Sequence, residues 1–210
     1  MAWVPRILAL IVACVAIKPT IASGQAGFVQ GGYGTDLRRF SANEDQRVFD
    51  GAAGSVLLGG GAFVTSRWTV GVELDLGQES TQSRSVTVPV SGLPTTVTTA
   101  FSLDRRTLSA LAGFHTTPAG AVVIGVYGGL SFSSVRRTIA SDAPPVVVTT
   151  APEPSVFVDR TTGPIAGVDV AVRIAPHLSV VGGLRAQGLT LTGELTGFSV
   201  RPFAAARVGF

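Results

Sequence analysis

Two histidines, His115 and His177, and one cysteine, Cys14, are the only imidazole and thiol groups in the chain. A histidine beside a nucleophile or an acid pair would suit covalent or general acid-base catalysis, and histidines clustered with cysteines or carboxylates would suit a metal. Neither arrangement is present. Both histidines stand in short turn-like stretches, next to Pro118 and Pro176, where a solvated ring is the expectation. Gly31-Gly32-Tyr33-Gly34 and Gly59-Gly60-Gly61 could suggest phosphate-cradling loops, but no helical pattern follows either one. The expectation is a protein without a catalytic residue, metal or cofactor, and so not an enzyme.

The remaining chemistry is ionic. Glu73, Asp75 and Asp169, with Arg105, Arg173, Arg185, Arg201 and Arg207, each occupy a stretch where apolar residues alternate with small or charged ones. Such charges on the face opposite an aliphatic one read as an ion-pair network, because an unpaired buried charge costs several kcal/mol. The other reading of the same residues is a constricted pore lined by Arg185 and Glu73.

The elements that would position these charges are strands. In Trp68 to Gly77, the residues Trp68, Val70, Val72, Leu74 and Leu76 share one face, and Thr69, Gly71, Glu73, Asp75 and Gly77 share the other. Val122 to Phe132 and Ala166 to Ile174 repeat the pattern. Weaker copies lie at Gly27 to Tyr33, Ser55 to Thr65, Phe101 to Phe114, Leu178 to Leu189 and Phe198 to Phe210. Period-two segments of about ten residues, about eight in number, are the pattern of a closed antiparallel up-and-down transmembrane β-barrel. The connections alternate between long (Thr35 to Asp50, Gln78 to Ala100, Ser134 to Val158) and short (Ser66-Arg67, His115 to Gly120, Ala175 to His177), with a brief last loop around Thr192 to Thr196. Long loops on one side and tight turns on the other fit the same architecture.

Composition agrees. Hydrophobic residues are 46% of the 210 and charged ones 14%, with a mean hydropathy of +0.44. Arg6, the apolar run Ile7 to Ile17 and the small residues Ser23 to Ala26 read as an export signal, cut after Gly24 or Ala26. That gives a signal peptide at 1–26 and a barrel at 27–210. The apolar run is shorter than the roughly 20 residues a membrane helix needs. Ile11-Val12-Ala13-Cys14 also resembles a lipoprotein box, so Cys14 is either acylated or simply one more apolar leader residue. Removing Arg6 and Lys18 with the leader leaves 14 arginines against 13 carboxylates, a balance of +1 that excludes a nucleic-acid binder despite the high isoelectric point. No lysine remains to blunt an open sheet edge, which again favours closure.

The last strand carries the most specific signal. Phe198, Val200, Pro202, Ala204, Ala206, Val208 and Phe210 share one face and end the chain on an aromatic. Here the sequence resembles the bacterial outer-membrane barrel families, the small OmpA/OmpX-like porin-family barrels above all. The resemblance implies an outer-membrane location, a Gram-negative cell envelope and recognition of Ala204, Ala206, Val208 and Phe210 by the barrel-insertion machinery. Some barrels of this kind are enzymes on lipid A or peptides, but both histidines here fall at the periplasmic end, away from outer-leaflet lipid.

With the short turns periplasmic, Glu73, Asp75, Asp169 and Arg185 point inward at mid-depth, Arg105 and Arg201 above them, Arg173 and Arg207 below. An eight-stranded barrel is just wide enough to be filled by side chains, so the expected function is structural or surface-interacting with a plugged interior. The alternative is a narrow channel for small solutes or ions. A soluble lipocalin-like barrel would need the aliphatic faces turned inward. Arg106, beside Asp104, has lipid-facing parity near the outer rim, where it either grips lipopolysaccharide phosphates or turns inward at a bulge. Arg136 and Arg137 invite the same two readings. Ser85 to Phe101 and Pro144 to Val158 are rich in Val, Thr and Pro, and alternating Val and Thr can extend hairpins beyond the membrane, leaving an edge for an external ligand.

Overall fold

The structure is a computed structural model that describes residues 27–41, 50–90, 93–116, 120–142, 153–191 and 195–210. The expected signal peptide, with Cys14, lies outside the described residues, as do most of Thr192 to Thr196 and of the segment between 143 and 152.

Alternation turns every periodic segment into a strand. The described residues form nine: β1 (Gly27–Ser41), β2 (Gly51–Phe63), β3 (Trp68–Gly77), β4 (Ser80–Val90), β5 (Leu93–His115), β6 (Val122–Asp142), β7 (Ser155–Ala175), β8 (Leu178–Leu191) and β9 (Leu195–Gly209). Every pairing is antiparallel, in the order β3-β2-β1-β9-β8-β7-β6-β5, and β3 pairs back onto β5. Eight strands therefore close a ring. The seam joins the two chain ends: Phe28 pairs with Gly209, and Gly27 and Phe210 exchange backbone hydrogen bonds of 2.9 and 3.0 Å.

The ninth strand, β4, lies above the ring and continues β3. Leu76 is opposite Arg106, but Ser80 is opposite Leu103, so Gln78 and Glu79 add one residue to this side of the ladder. An extra residue of this kind interrupts pairing and shifts side-chain parity. Even-numbered residues face outward on β3, whereas on β4 the odd-numbered Thr81, Ser83, Ser85 and Thr87 do.

The long connections expected at Gln78 to Ala100 and Ser134 to Val158 are largely strand. β5 has 23 residues, β6 21 and β7 21, well beyond the expected spans. The first connection is also shorter than expected, since β1 runs to Ser41. Thr35 to Phe40 read as a loop because it is polar, but Asp36, Arg38 and Phe40 point into the barrel and are buried. The upper hairpins persist because β-branched Val and Thr favour extended backbone and because hydroxyls pair across the strands: Thr81 with Ser102 and Ser85 with Thr98 at 2.9 Å, Thr87 with Thr96 at 3.3 Å.

Aliphatic and aromatic residues cover the outside, Val70, Val126, Leu130, Phe132, Val168, Val170 and Ile174 among them. The inside is where charge collects. This parity rules out a soluble lipocalin-like arrangement, which would bury the aliphatic face.

Candidate functional site: the charged lumen

Strand parity sends Asp36 and Arg38 (β1), Glu73 and Asp75 (β3), Arg105 (β5), Asp169 (β7), Arg185 (β8), and Arg201 and Arg207 (β9) into the lumen, none more than 8% exposed. They form one unbroken ladder. Arg38 lies 3.7 Å from Asp36. Arg105 reaches Asp36 and Asp75, each at 3.0 Å. Arg201 binds Asp75 and, at 2.7 Å, Glu73. Arg185 contacts Glu73 at 3.3 Å and Asp169 at 3.7 Å, and Arg207 closes the run on Asp169 at 2.7 Å. Four carboxylates alternate with five guanidiniums, so almost every charge touches two of opposite sign. That is the geometry in which mutual attraction offsets the loss of hydration.

The ladder crosses the barrel rather than following a wall. β3 and β8 are four strands apart in either direction around the ring, so the Glu73–Arg185 contact spans the full diameter. Aromatic faces hold the arginines from the side: the Arg185 guanidinium carbon is 4.6 Å from the Tyr127 ring centre and 4.8 Å from that of Phe203, and Arg207 is 4.6 Å from that of Phe28. Arg207 also donates to Gln30 Oε1 at 2.8 Å and to the Tyr127 hydroxyl at 3.4 Å.

Toward the loop end, a hydroxyl and amide layer follows. Gln187 donates to Ser133 Oγ at 2.7 Å, and Thr107 pairs with Ser133 at 2.8 Å. Above it, Phe40, Leu103, Val135 and Leu189 pack together with Phe101 as an apolar lid. Toward the turn end, Leu57, Ala171, Val181, Phe203 and Ala205 fill the space beside the ladder. Arg173 is half-buried here, lining a small cavity with Phe28, Phe63, His115, Ser179 and Arg207.

No family model and no curated protein matches the chain. Solved structures do match. Neisserial surface protein A (NspA) aligns at 16% identity and a TM-score of 0.54, over 88% of this chain and 97% of that one. The N-terminal β-barrel domain of Pseudomonas aeruginosa OprF aligns at 12% and 0.52, over 90% and 100%. Yersinia pestis Ail, in complex with the heparin analogue sucrose octasulfate, aligns at 10% and 0.51, over 88% and 99%. The fold is that of the small outer-membrane β-barrels.

In this outer-membrane barrel fold, the charged residues singled out in the sequence each have a definite place. Glu73, Asp75, Arg105, Asp169, Arg185, Arg201 and Arg207 meet in the ladder, and Arg173 stands below it. Ala204, Ala206, Val208 and Phe210 face outward on the seam strand. Arg106 and Arg136 also face outward, with no bulge turning Arg106 in. Arg137 does not join them: alternation sends it to the inner side, where it binds Asp159 at 2.8 Å and lies over Phe157.

His115 overturns its expectation. Far from a solvated turn residue, it ends β5 on the inward parity and is 1% exposed. It lies 2.9 Å from Thr69 Oγ1, between the rings of Phe63 and Tyr127. His177 does sit in an exposed turn. Asp36, Arg38, Tyr127 and the lid were missed. Asp36 and Arg38 show the inward alternation one turn beyond the segment taken as strand, but the lid residues carry no signal separating them from lipid-facing ones.

Proposed function

We propose that this protein is an exported, integral outer-membrane barrel of a Gram-negative envelope, non-enzymatic, with a closed lumen and a surface-interaction role outside the membrane. The observation that carries closure is the Glu73–Arg185 bridge across the diameter, beneath the Phe40–Leu189 lid. An ion entering from the loop end meets an apolar layer and then a ladder of paired charges, and neither offers it a hydrated path. The strands that rise beyond the lid are the part left to meet other molecules. The base–hydroxyl pair of His115 with Thr69 is enclosed by aromatic rings, which supports a packing role. The outward row ending at Phe210 is the signal for the insertion machinery.

The test is single-channel current across a planar bilayer, using refolded residues 27–210 that already migrate as a heat-modifiable barrel. Silence from folded protein is the expected result. Discrete, salt-dependent steps would replace this reading with that of a narrow pore, whose ion selectivity should then change in Glu73→Gln and Arg185→Gln.

A further inference from the structure

The outer surface of β5, β6 and β7 carries a basic cluster that the lumen does not use. Arg106 on β5 and Arg160 on β7 are both register partners of Ser134 on β6. Arg136, two residues further along β6, is diagonal to both. All three point outward and are exposed. Diagonal neighbours on one sheet face lie roughly 7–8 Å apart, a spacing that lets guanidiniums converge on one anion. The only acidic residue among them is Asp104, opposite Arg136 and 3.9 Å from Arg106, so the patch keeps a net charge of +2. Like charges set this close on an open β-face repel one another, and an anion between them removes the penalty.

What surrounds the cluster defines the anion. On the membrane side the same face is apolar, with Leu130, Phe132, Val168 and Val170 exposed. On the far side it becomes hydroxylated: Thr81, Ser85 and Thr87 on β4 pair with Ser102, Thr98 and Thr96 on β5, and Thr138 of β6 is opposite Ser102. Val156 and Val158 bound this field on β7. Along one wall the order is hydrocarbon, cation, hydroxyl.

We propose that this wall is a binding site for lipopolysaccharide, with acyl chains on the apolar band, a sugar-linked phosphate held by Arg106, Arg136 and Arg160, and core sugars lying on the Ser/Thr face. The proposal rests on the outer-membrane reading above. A phospholipid would satisfy the first two zones but leave the third unused, which is why a glycolipid is the better complement. Guanidinium recognises phosphate through paired, charge-assisted hydrogen bonds, and short side chains on a flat sheet admit a sugar ring.

The test titrates fluorescent rough-type lipopolysaccharide onto the micelle-refolded barrel, comparing wild type with the triple variant Arg106→Gln, Arg136→Gln, Arg160→Gln. An affinity loss of at least about tenfold, weaker at high salt in the wild type, is expected, with Arg39→Gln on the opposite wall unchanged. Dephosphorylated lipopolysaccharide should bind the wild type and the triple variant alike. Lipid A without core sugars should bind more weakly than the rough form. Equal binding of the triple variant, or displacement by phosphatidylglycerol as effective as by unlabelled lipopolysaccharide, would overturn the proposal. Heat-modifiable migration, checked for every variant, separates failure of this site from failure of the barrel itself.

Discussion

The two walls of this barrel are built to different heights. β8, β9, β1 and β2 have 13 to 15 residues each, whereas β5, β6 and β7 have 21 to 23 and carry β4 beside them. At about 3.4 Å per residue, the longer strands gain roughly 20 to 30 Å of path. The low wall ends where its inward residues have closed the lumen, at Phe40 and Leu189. The tall wall continues past that point, held by its ladders and hydroxyl pairs. One part of the chain is organised around its inside and the other around its outside, and the two should respond to substitution in opposite ways.

The largest effect should come from the inside. Arg185→Ala leaves Glu73 without one of its two arginines, empties the space between Tyr127 and Phe203, and should lower the unfolding free energy of the refolded barrel in urea by about 3–5 kcal/mol. The paired replacement Glu73→Gln with Arg185→Met should recover most of that loss, because it removes both charges instead of leaving Glu73 with Arg201 alone. If the single variant alters neither unfolding nor bilayer current, the ladder does not hold the lumen shut. Next in size is Leu103→Ala in the lid, where a 2% exposed side chain is truncated among apolar neighbours. A loss of about 2–4 kcal/mol in the same titration is expected, with bilayer current still silent because the ladder below remains intact. A third prediction concerns the β5–β6 pairing in the lower ring. Gly129 allows β5 to approach β6, since a Cβ there would run into the carbonyl oxygen of Ala110. Gly129→Val should cost about 1–3 kcal/mol through overpacking, read as a lower heat-modification temperature.

Much of this was legible in the sequence because the parity of a strand is a local property. Trp68 to Gly77 announces which residues face lipid and which face the lumen, and the ring of eight follows from counting such segments. Pairing across the lumen is not local. That Arg185 meets Glu73, 112 positions away in the chain, depends on strand tilt and register, which alternation does not encode. The extra residue at Gln78-Glu79 was equally silent, yet it decides that Thr81, Ser85 and Thr87 face outward beside Arg106. His115 was misread because the turn signal of Pro118 was allowed to reach three residues too far. Arg137 was grouped with Arg136 by adjacency, when alternation requires neighbours on a strand to part. The tall wall was half legible: its Val and Thr alternation suggested extended hairpins, but its polarity suggested loops.

The smallest effect should come from removing part of the tall wall. Ser83 and Ala100 are register partners, so residues 84–99 can be replaced by a two-residue Asn-Gly turn, whose twist matches the flanking strands. No ladder or lid residue lies within 84–99, and of the ring pairings only those of Thr98 with Asp142 and Thr99 with Ser141 are lost. Surface changes away from such features usually shift stability by less than about 0.5 kcal/mol, so urea unfolding and channel silence should both stay as in the full-length protein. Binding of rough lipopolysaccharide should nevertheless fall toward that of lipid A, since the arginines survive while Ser85, Thr87, Thr96 and Thr98 are gone from the hydroxyl face above them. A shortened barrel that unfolds several kcal/mol more easily would mean that the upper hairpins support the lumen, and the two walls would then be one structure rather than two with separate tasks.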